Sequence, residues 1–169
     1  MPVTYTPIAT LSSTGSTATF SFTSIPSTYT DLVLSLSLRS SFAISAHDTL
    51  IRVNGSTSTL YSRTRLQGDG SSATSSRNTS QTGFYSGQVE GANTGSGIFS
   101  TQIVQLMNYS NTTTFKTFIS RNNTPTDFTD AIVGLWRSTS AINQIDILNA
   151  DGSNWVSGST ATLYGIKSA

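Results

Sequence analysis

The chain has 169 residues, a formal net charge of +1 and no cysteine, and only 10% of its residues are charged. The lack of cysteine excludes disulfides, thiolate metal sites and a cysteine nucleophile. The near-zero charge argues against a nucleic-acid-binding protein, which needs a basic face. Ser and Thr make up about a third of the chain, but 9% aromatic residues argue against disorder. We therefore expect an ordered β-protein whose solvent-facing side chains are mostly hydroxyls.

The N-terminal stretch MPVTYTPIATLSS contains neither a basic start nor an apolar centre, so the sequence predicts no signal peptide. No apolar run approaches the roughly 18 residues of a membrane-spanning helix, and we expect no membrane partner. Pro7 has no backbone N–H to donate to a sheet ladder. Residues 1–11 are therefore predicted to form an N-terminal arm or an edge strand.

Alternation of apolar and polar residues begins at TATFSFT and is strongest in TDLVLSLSLRSS, residues 30–41. In the second stretch Leu32, Leu34, Leu36 and Leu38 occupy every second position. Because successive side chains of a strand point to opposite faces, the leucines are predicted to face a core. The other face, which begins at Val33, is expected to meet water or a partner.

Two further segments, TLIRVNG and TLYSRTRL, lie on either side of the turn at Asn54-Gly55. Both residues of this turn tolerate the positive φ that a tight hairpin requires, so the two segments are predicted to pair as a hairpin. In the second segment Tyr61, Arg63 and Arg65 alternate and form the chain's only local cluster of basic and aromatic residues. This strand face is expected to be solvated.

The segment Gln67–Ser80, QGDGSSATSSRNTS, has Ala73 as its only apolar anchor. Such a polar stretch is typical of a long surface loop. We predict a mobile loop here, with Asp69 and Arg77 as candidate contact residues on it.

The rest of the chain contains six more strand-like stretches, separated by Gly- and Asn-rich turns: TGFYSGQV, IFSTQIVQLMNYS, TFKTFISR, DAIVGLWRS, INQIDIL and TATLYGIK. No segment shows a sustained apolar period of 3.6 residues, which a surface helix would need. Nine to eleven short strands at this spacing predict an all-β sandwich or barrel. With no linker visible, residues 1–169 are predicted to form a single domain.

Few side chains could carry out acid–base or metal chemistry. His47 is the only histidine, and a catalytic triad would need an oriented serine beside it. Asp127 and Asp130 are close in sequence, but Asp commonly stabilises turns at such junctions. Asp69-Gly70 and Asp151-Gly152 lack the acidic continuation of a calcium loop. We therefore predict no catalytic residue, no cofactor and no metal site, and a protein that is not an enzyme.

The two tryptophans are expected to differ in burial. Trp136 alternates in phase with Ile132 and Gly134, which is typical of a core-facing strand. Trp155 lies in a turn-rich segment and is predicted to be exposed, where it could contact a partner or a glycan.

Four stretches of the chain resemble a family of small virion proteins of tailed bacteriophages that have a jelly-roll fold. The stretches are ATFSFTSIPSTYTDLVLSLSLRSS, IRVNGSTSTLYSRTRLQGDGSS, GLWRSTSAINQIDIL and GSTATLYGIK, and they run from residue 18 to residue 167. The resemblance implies an all-β fold, an antiparallel jelly-roll-like β-sandwich. Related sequences serve as capsid decoration (cement) proteins or as parts of tail appendages, and the family brings no catalytic motif.

The resemblance further implies a structural protein of the virion, assembled in the host cytoplasm and located on the capsid surface. We expect a cement protein that binds the major capsid protein of the same phage and bridges neighbouring shell subunits. A homotrimer is expected as well, because a closed oligomer would bury the sheet edges that a free jelly roll exposes. The candidate interface residues are Tyr5, Pro7, Tyr61, Arg63, Arg65, Asp69, Arg77 and Trp155.

Two other functions remain open on the sequence. A tail-fibre or receptor-binding head that recognises host surface glycan would use Trp155, Tyr61 and loop hydroxyls in a shallow groove. A depolymerase would need a pair of carboxylates in a cleft, for which Asp127 and Asp130 are the candidates.

Overall fold

The computed structural model describes residues 4–167, and within that range the chain forms strands, turns and loops without a helix. All the strand-to-strand ladders in this range are antiparallel. The twelve strands are β1 Tyr5–Ser12, β2 Thr19–Phe22, β3 Asp31–Leu38, β4 Ala46–Val53, β5 Tyr61–Gly68, β6 Ala73–Gln81, β7 Phe84–Glu90, β8 Ser100–Met107, β9 Lys116–Thr124, β10 Phe128–Trp136, β11 Ile145–Asn149 and β12 Thr160–Ile166.

These strands form two sheets that pack face to face. The large sheet has eight strands in the order β1-β12-β3-β8-β9-β10-β5-β6, and the small sheet has four in the order β2-β11-β4-β7. The chain passes repeatedly from one sheet to the other, so that neighbours within a sheet are often distant in sequence. The predicted all-β, antiparallel, jelly-roll-like sandwich is confirmed.

The core lies between the two sheets and follows the predicted alternation. Leu32, Leu34, Leu36 and Leu38 of β3 are each at most 1% exposed. Trp136 is also buried, as its phase in β10 predicted. The small sheet contributes buried apolar side chains from all four of its strands: Phe20, Phe22, Ile51, Val53, Phe84, Val89, Ile145 and Ile147.

A glycine in β10 makes room for an aromatic pair across the core. A Cβ at Gly134 would lie 2.3 Å from the ring of Phe84, far closer than any side chain could tolerate. The Phe84 ring instead stacks on Phe118, with ring centroids 4.8 Å apart. Gly134 therefore lets β7 of the small sheet approach the large sheet closely.

The predicted hairpin around Asn54-Gly55 is wrong, although the turn itself forms. Both turn residues have positive φ, 52° and 63°. The strand before the turn, β4, pairs with β7 and β11, whereas β5 after it pairs with β6 and β10. The turn is held by the Asn54 side chain, whose Oδ1 accepts hydrogen bonds from the backbone N–H groups of Asn143 and Gln144. Sheet packing thus overrides the local hairpin signal.

The predicted mobile loop over Gln67–Ser80 is also wrong. Its ends belong to β5 and β6, joined by a tight turn in which the Asp69 carboxylate accepts hydrogen bonds from the N–H and Oγ of both Ser71 and Ser72. These donors hold the pKa of Asp69 well below its ordinary value. The sequence misleads because β6 is an edge strand exposed on both faces apart from its last residue. Such a strand needs no apolar alternation.

The N-terminal segment forms β1 at the other edge of the large sheet, paired with β12. The ladder is irregular between Pro7 and Ala9, where proline cannot donate. Residues 1–3 of the predicted 1–11 arm lie outside the described residues.

Trp155, which the sequence placed at the surface, is buried and 0% exposed. Its ring lies parallel to Phe20 with centroids 6.1 Å apart, and its Nε1–H donates to the carbonyl of Ile147. Its backbone bridges Thr17 and Ser40. The turn-rich composition around Trp155 reflects tight loops that fold this side chain inward at one end of the sandwich.

Trp155→Ala should therefore destabilise the protein by about 3–5 kcal/mol, because it leaves a large cavity beside Phe20. Chemical denaturation followed by circular dichroism measures this change. Phe115→Ala is the matched control, since Phe115 is 51% exposed and its loss should change the unfolding free energy little. Equal effects of the two substitutions would contradict the burial of Trp155.

Candidate interaction surface

The structure does not bring the predicted interface residues together. Tyr5 and Pro7 lie on β1, whereas Arg77 lies on β6 at the opposite edge of the large sheet. Seven strand spacings of about 4.8 Å separate these edges by roughly 34 Å. Tyr61, Arg65 and Trp155 are buried, so they cannot contribute exposed contact area.

The predicted solvated face of β5 points into the sandwich instead. The Tyr61 ring is 0% exposed and stacks on Trp136 at 6.1 Å, and its Oη accepts a hydrogen bond from the N–H of Val53. Burial raises the pKa of Tyr61. The Arg63 guanidinium lies 5.0 Å from the ring centroid of Tyr85, and burial lowers the pKa of Arg63. The prediction of a solvated face is wrong because the partners of these basic residues lie far along the chain, where the sequence does not reveal them.

The central partner is Asp130, which the sequence offered as half of a carboxylate pair. Its two carboxylate oxygens accept hydrogen bonds from Nε and Nη2 of Arg65 at 2.7 and 2.8 Å. Nη2 of Arg65 also donates to the side-chain oxygen of Gln88 on β7. Asp127 lies in the turn before β10, where its N–H donates to the carbonyl of Thr124. The two aspartates therefore occupy different environments.

A polar layer continues inward from this ion pair and joins the two sheets. Asn122 and Gln102 of the large sheet both donate to the backbone carbonyl of Gln88. The Gln102 amide also binds the hydroxyls of Ser86 and Thr49. The interior is therefore polar at this end and apolar around β3. The evident role of this layer is to fix the position of β7.

Because Asp130 and Arg65 are both buried, removing one partner leaves an unpaired charge in the interior. We expect Arg65→Met to cost about 3–5 kcal/mol of unfolding free energy. The double substitution Arg65→Met with Asp130→Leu should cost clearly less than the sum of the two single substitutions. A double-mutant cycle by urea denaturation measures the coupling. Additive costs would mean that the two side chains do not interact in solution.

His47 contacts a carboxylate but not a serine hydroxyl. Its Nε2 lies 2.9 Å from Oδ1 of Asp151, and its ring packs on Phe42 at 4.9 Å. The same Oδ1 accepts hydrogen bonds from the N–H and Oγ of Ser153. A catalytic triad places histidine between serine and aspartate, whereas here aspartate lies between the other two. The arrangement ties the start of β4 to the turn after β11.

The hydrogen bonds to Asp151 make a stability difference at low pH. Burial opposes ionisation, but the bonds from Ser153 and the neighbouring His47 outweigh it, so the pKa of Asp151 lies below its ordinary value. A depressed carboxyl pKa contributes stability that is present above about pH 4 and is lost as the pH falls through the folded-state pKa. Asp151→Asn should therefore flatten the loss of stability in acid. Melting temperatures recorded from neutral to acidic pH measure this loss. Ser153→Ala should give a pH dependence between those of the original protein and Asp151→Asn. Equal pH dependence for all three proteins would contradict the assignment.

The most distinctive feature of the exterior is the outer face of the large sheet over β8, β9, β10 and β5. On this face Ile103, Arg121, Ala131 and Leu66 form one cross-strand row. A second row contains Gln105, Ile119, Val133 and Thr64. We call these two rows, together with Met107 and Phe115 beside them, the apolar surface.

Large apolar side chains on this surface are well exposed. Leu66 is 57% exposed, Val133 56%, Ile119 43% and Ile103 37%. Single exposed apolar residues are normal, but a contiguous group on one rigid face typically marks an interaction site. The sequence contained a signal for it, because β8, β9 and β10 carry adjacent apolar pairs rather than strict alternation, namely Ile103-Val104, Leu106-Met107, Phe118-Ile119 and Ile132-Val133.

The apolar surface contains a groove of about 640 Å³. Ile103 and Leu66 lie on its two sides and the small residue Ala131 lies between them. Gly68, also small, continues the lining toward one end of the sheet. The groove therefore arises where small side chains interrupt a row of larger ones.

Among residues 4–167, no three His, Asp or Glu side chains lie close enough to hold a metal ion. That part of the chain also contains no helix of the length and hydropathy that a membrane crossing requires. In comparisons with known proteins, no family model matches the sequence, and a search of curated proteins finds no significant match.

Proposed function

We propose that this protein is a structural component of a tailed-phage virion, a cement protein that binds the outside of the major capsid shell. The observation that supports this most is the apolar surface, which lies on a sheet fixed from behind by the polar layer around Arg65 and Asp130. A rigid face with exposed apolar side chains suits permanent attachment to another protein. The resemblance of four sequence stretches to small virion proteins supports the same role.

The proposed oligomer is a homotrimer on the capsid surface, assembled after folding in the host cytoplasm. The large sheet ends in two exposed edges, β1 and β6, and β6 is nine residues long. Unpaired edges of this kind tend to associate unless they are covered. Closed association of subunits would cover them and set the number of copies at each shell position.

The glycan-binding alternative loses its two aromatic contacts. It relied on Trp155 and Tyr61, and both are 0% exposed. The exposed aromatic residues Tyr5, Phe42 and Phe115 lie on β1, in the loop between β3 and β4, and just before β9. A sugar-stacking platform built on the aromatic residues named from the sequence is therefore not supported.

The proposal predicts that purified protein co-sediments with expanded shells assembled from the major capsid protein of the same phage. Binding should saturate at a fixed ratio of this protein to shell subunit, because a bridging protein occupies symmetric positions. Sedimentation-velocity analysis of the free protein tests the trimer separately. If the protein neither binds shells nor self-associates at high concentration, the cement role is wrong. Saturable binding by a monomer would retain the shell contact and remove the trimer.

A further inference from the structure

One charged side chain in the groove has no partner among residues 4–167. Arg121 lies between Ile103 and Ala131 in the cross-strand row and is exposed. Its guanidinium makes no hydrogen bond or ion pair with another described residue. The groove's one carboxylate, Asp130, is only 5% exposed and is already bound by Arg65 through both oxygens. The groove therefore offers an unneutralised positive charge next to apolar walls.

We infer that this groove binds a protein segment that presents an apolar side chain beside a carboxylate. A guanidinium binds a carboxylate through two parallel hydrogen bonds, which makes Arg121 suited to that group. The space between Ile103 and Leu66 accommodates the apolar side chain, and the groove volume of about 640 Å³ lies within the usual range for ligand sites. The assignment of this segment to the shell protein rests on the proposed function. The chemistry of the site is independent of that function.

The surroundings favour a protein segment over other occupants. The groove is continuous with the exposed side chains of Ile119 and Val133, so a bound segment would extend onto further apolar area. A nucleic acid would gain little from apolar walls with one arginine. A second copy docked through the same face would add Arg121 and Arg77 again, and the outward-facing positions of β8, β9, β10, β5 and β6 contain no carboxylate to pair with them.

The first test uses small probes and needs no capsid. N-acetyl-leucine carries an isobutyl side chain and a carboxylate, whereas N-acetyl-leucinamide has the same side chain without the charge. In nuclear magnetic resonance titrations of the full chain, the acid should shift the amide signals of Ile103 and Ala131 and the side-chain signal of Arg121. The amide probe should bind at least about tenfold more weakly, since it lacks the charge-assisted pair. Equal affinities for the two probes, or no shift in the groove, would overturn the inference.

The second test uses variants in the shell-binding experiment. Arg121→Glu reverses the charge, and Ala131→Leu fills the groove from an exposed position without altering the core. Each should weaken shell binding at least about tenfold. Lys167→Glu and Ser21→Leu are the matched controls, because both residues are exposed, lie outside the groove and belong to neither edge strand of the large sheet. Circular dichroism and melting temperature establish that each variant folds.

The two tests separate the groove from the proposed function. If the variants bind shells as tightly as the original protein, the groove does not contact the shell and the inference fails while the cement role stands. If N-acetyl-leucine binds but shells do not, the site stands and the cement role fails. If Ala131→Leu abolishes self-association in sedimentation experiments, the occupant is a second copy, and the inferred partner is wrong.

Discussion

The constraint on which this structure depends is that a sheet has two faces and the chain can cover only one of them. The small sheet packs on the inner face of the large sheet, and the outer face over β8, β9, β10 and β5 stays exposed to solvent. Inward side chains such as Leu34 and Phe118 find their partners across the core. Outward apolar side chains such as Leu66 and Val133 stay more than half exposed. Burial of the second set requires another molecule, which links the topology directly to interaction.

The interior also explains why the outer face can be rigid. Around β3 the two sheets meet through aliphatic and aromatic packing, which is non-directional and tolerates small shifts. Around Gln88 they meet through directional bonds from Arg65, Asn122 and Gln102. Directional bonds to one residue of β7 fix the register between the sheets as well as their separation. The strands that carry the apolar surface, β8, β9, β10 and β5, are the ones tied down in this way.

Much of the fold could be predicted from the sequence. Burial of one face of a strand makes apolar and polar residues alternate, and this alternation is clear in β3, β9 and β12. The errors share a cause in contacts made far along the chain. The turn at Asn54-Gly55 has the right residues for a hairpin, yet its strands join different sheets. The side chains of β6 are exposed on both faces apart from its last residue, so its sequence shows no alternation of apolar and polar residues. Arg65 looked solvated until Asp130, distant in sequence, supplied its counter-charge. The apolar surface was overlooked because adjacent apolar pairs such as Ile132-Val133 blur the alternation.

The same division of faces reconciles two demands on the free subunit. An exposed apolar face invites aggregation, and with charged residues at only 10% the chain has little net repulsion to oppose it. Here the apolar surface is interrupted by Arg121 within its first row and is bordered by hydroxyl-rich strands, β6 on one side and β3 with β12 on the other. The hydroxyl groups on these bordering strands stay hydrated, and because they are uncharged they do not give the surface a large net charge. A partner that supplies both apolar area and a carboxylate would bury the apolar side chains and pair with Arg121, while the bordering strands stay hydrated. This arrangement, an apolar centre with a polar rim, is typical of stable protein interfaces. Attachment would then select for a matching surface rather than for any apolar one, since an apolar surface without the carboxylate would desolvate Arg121 without compensation.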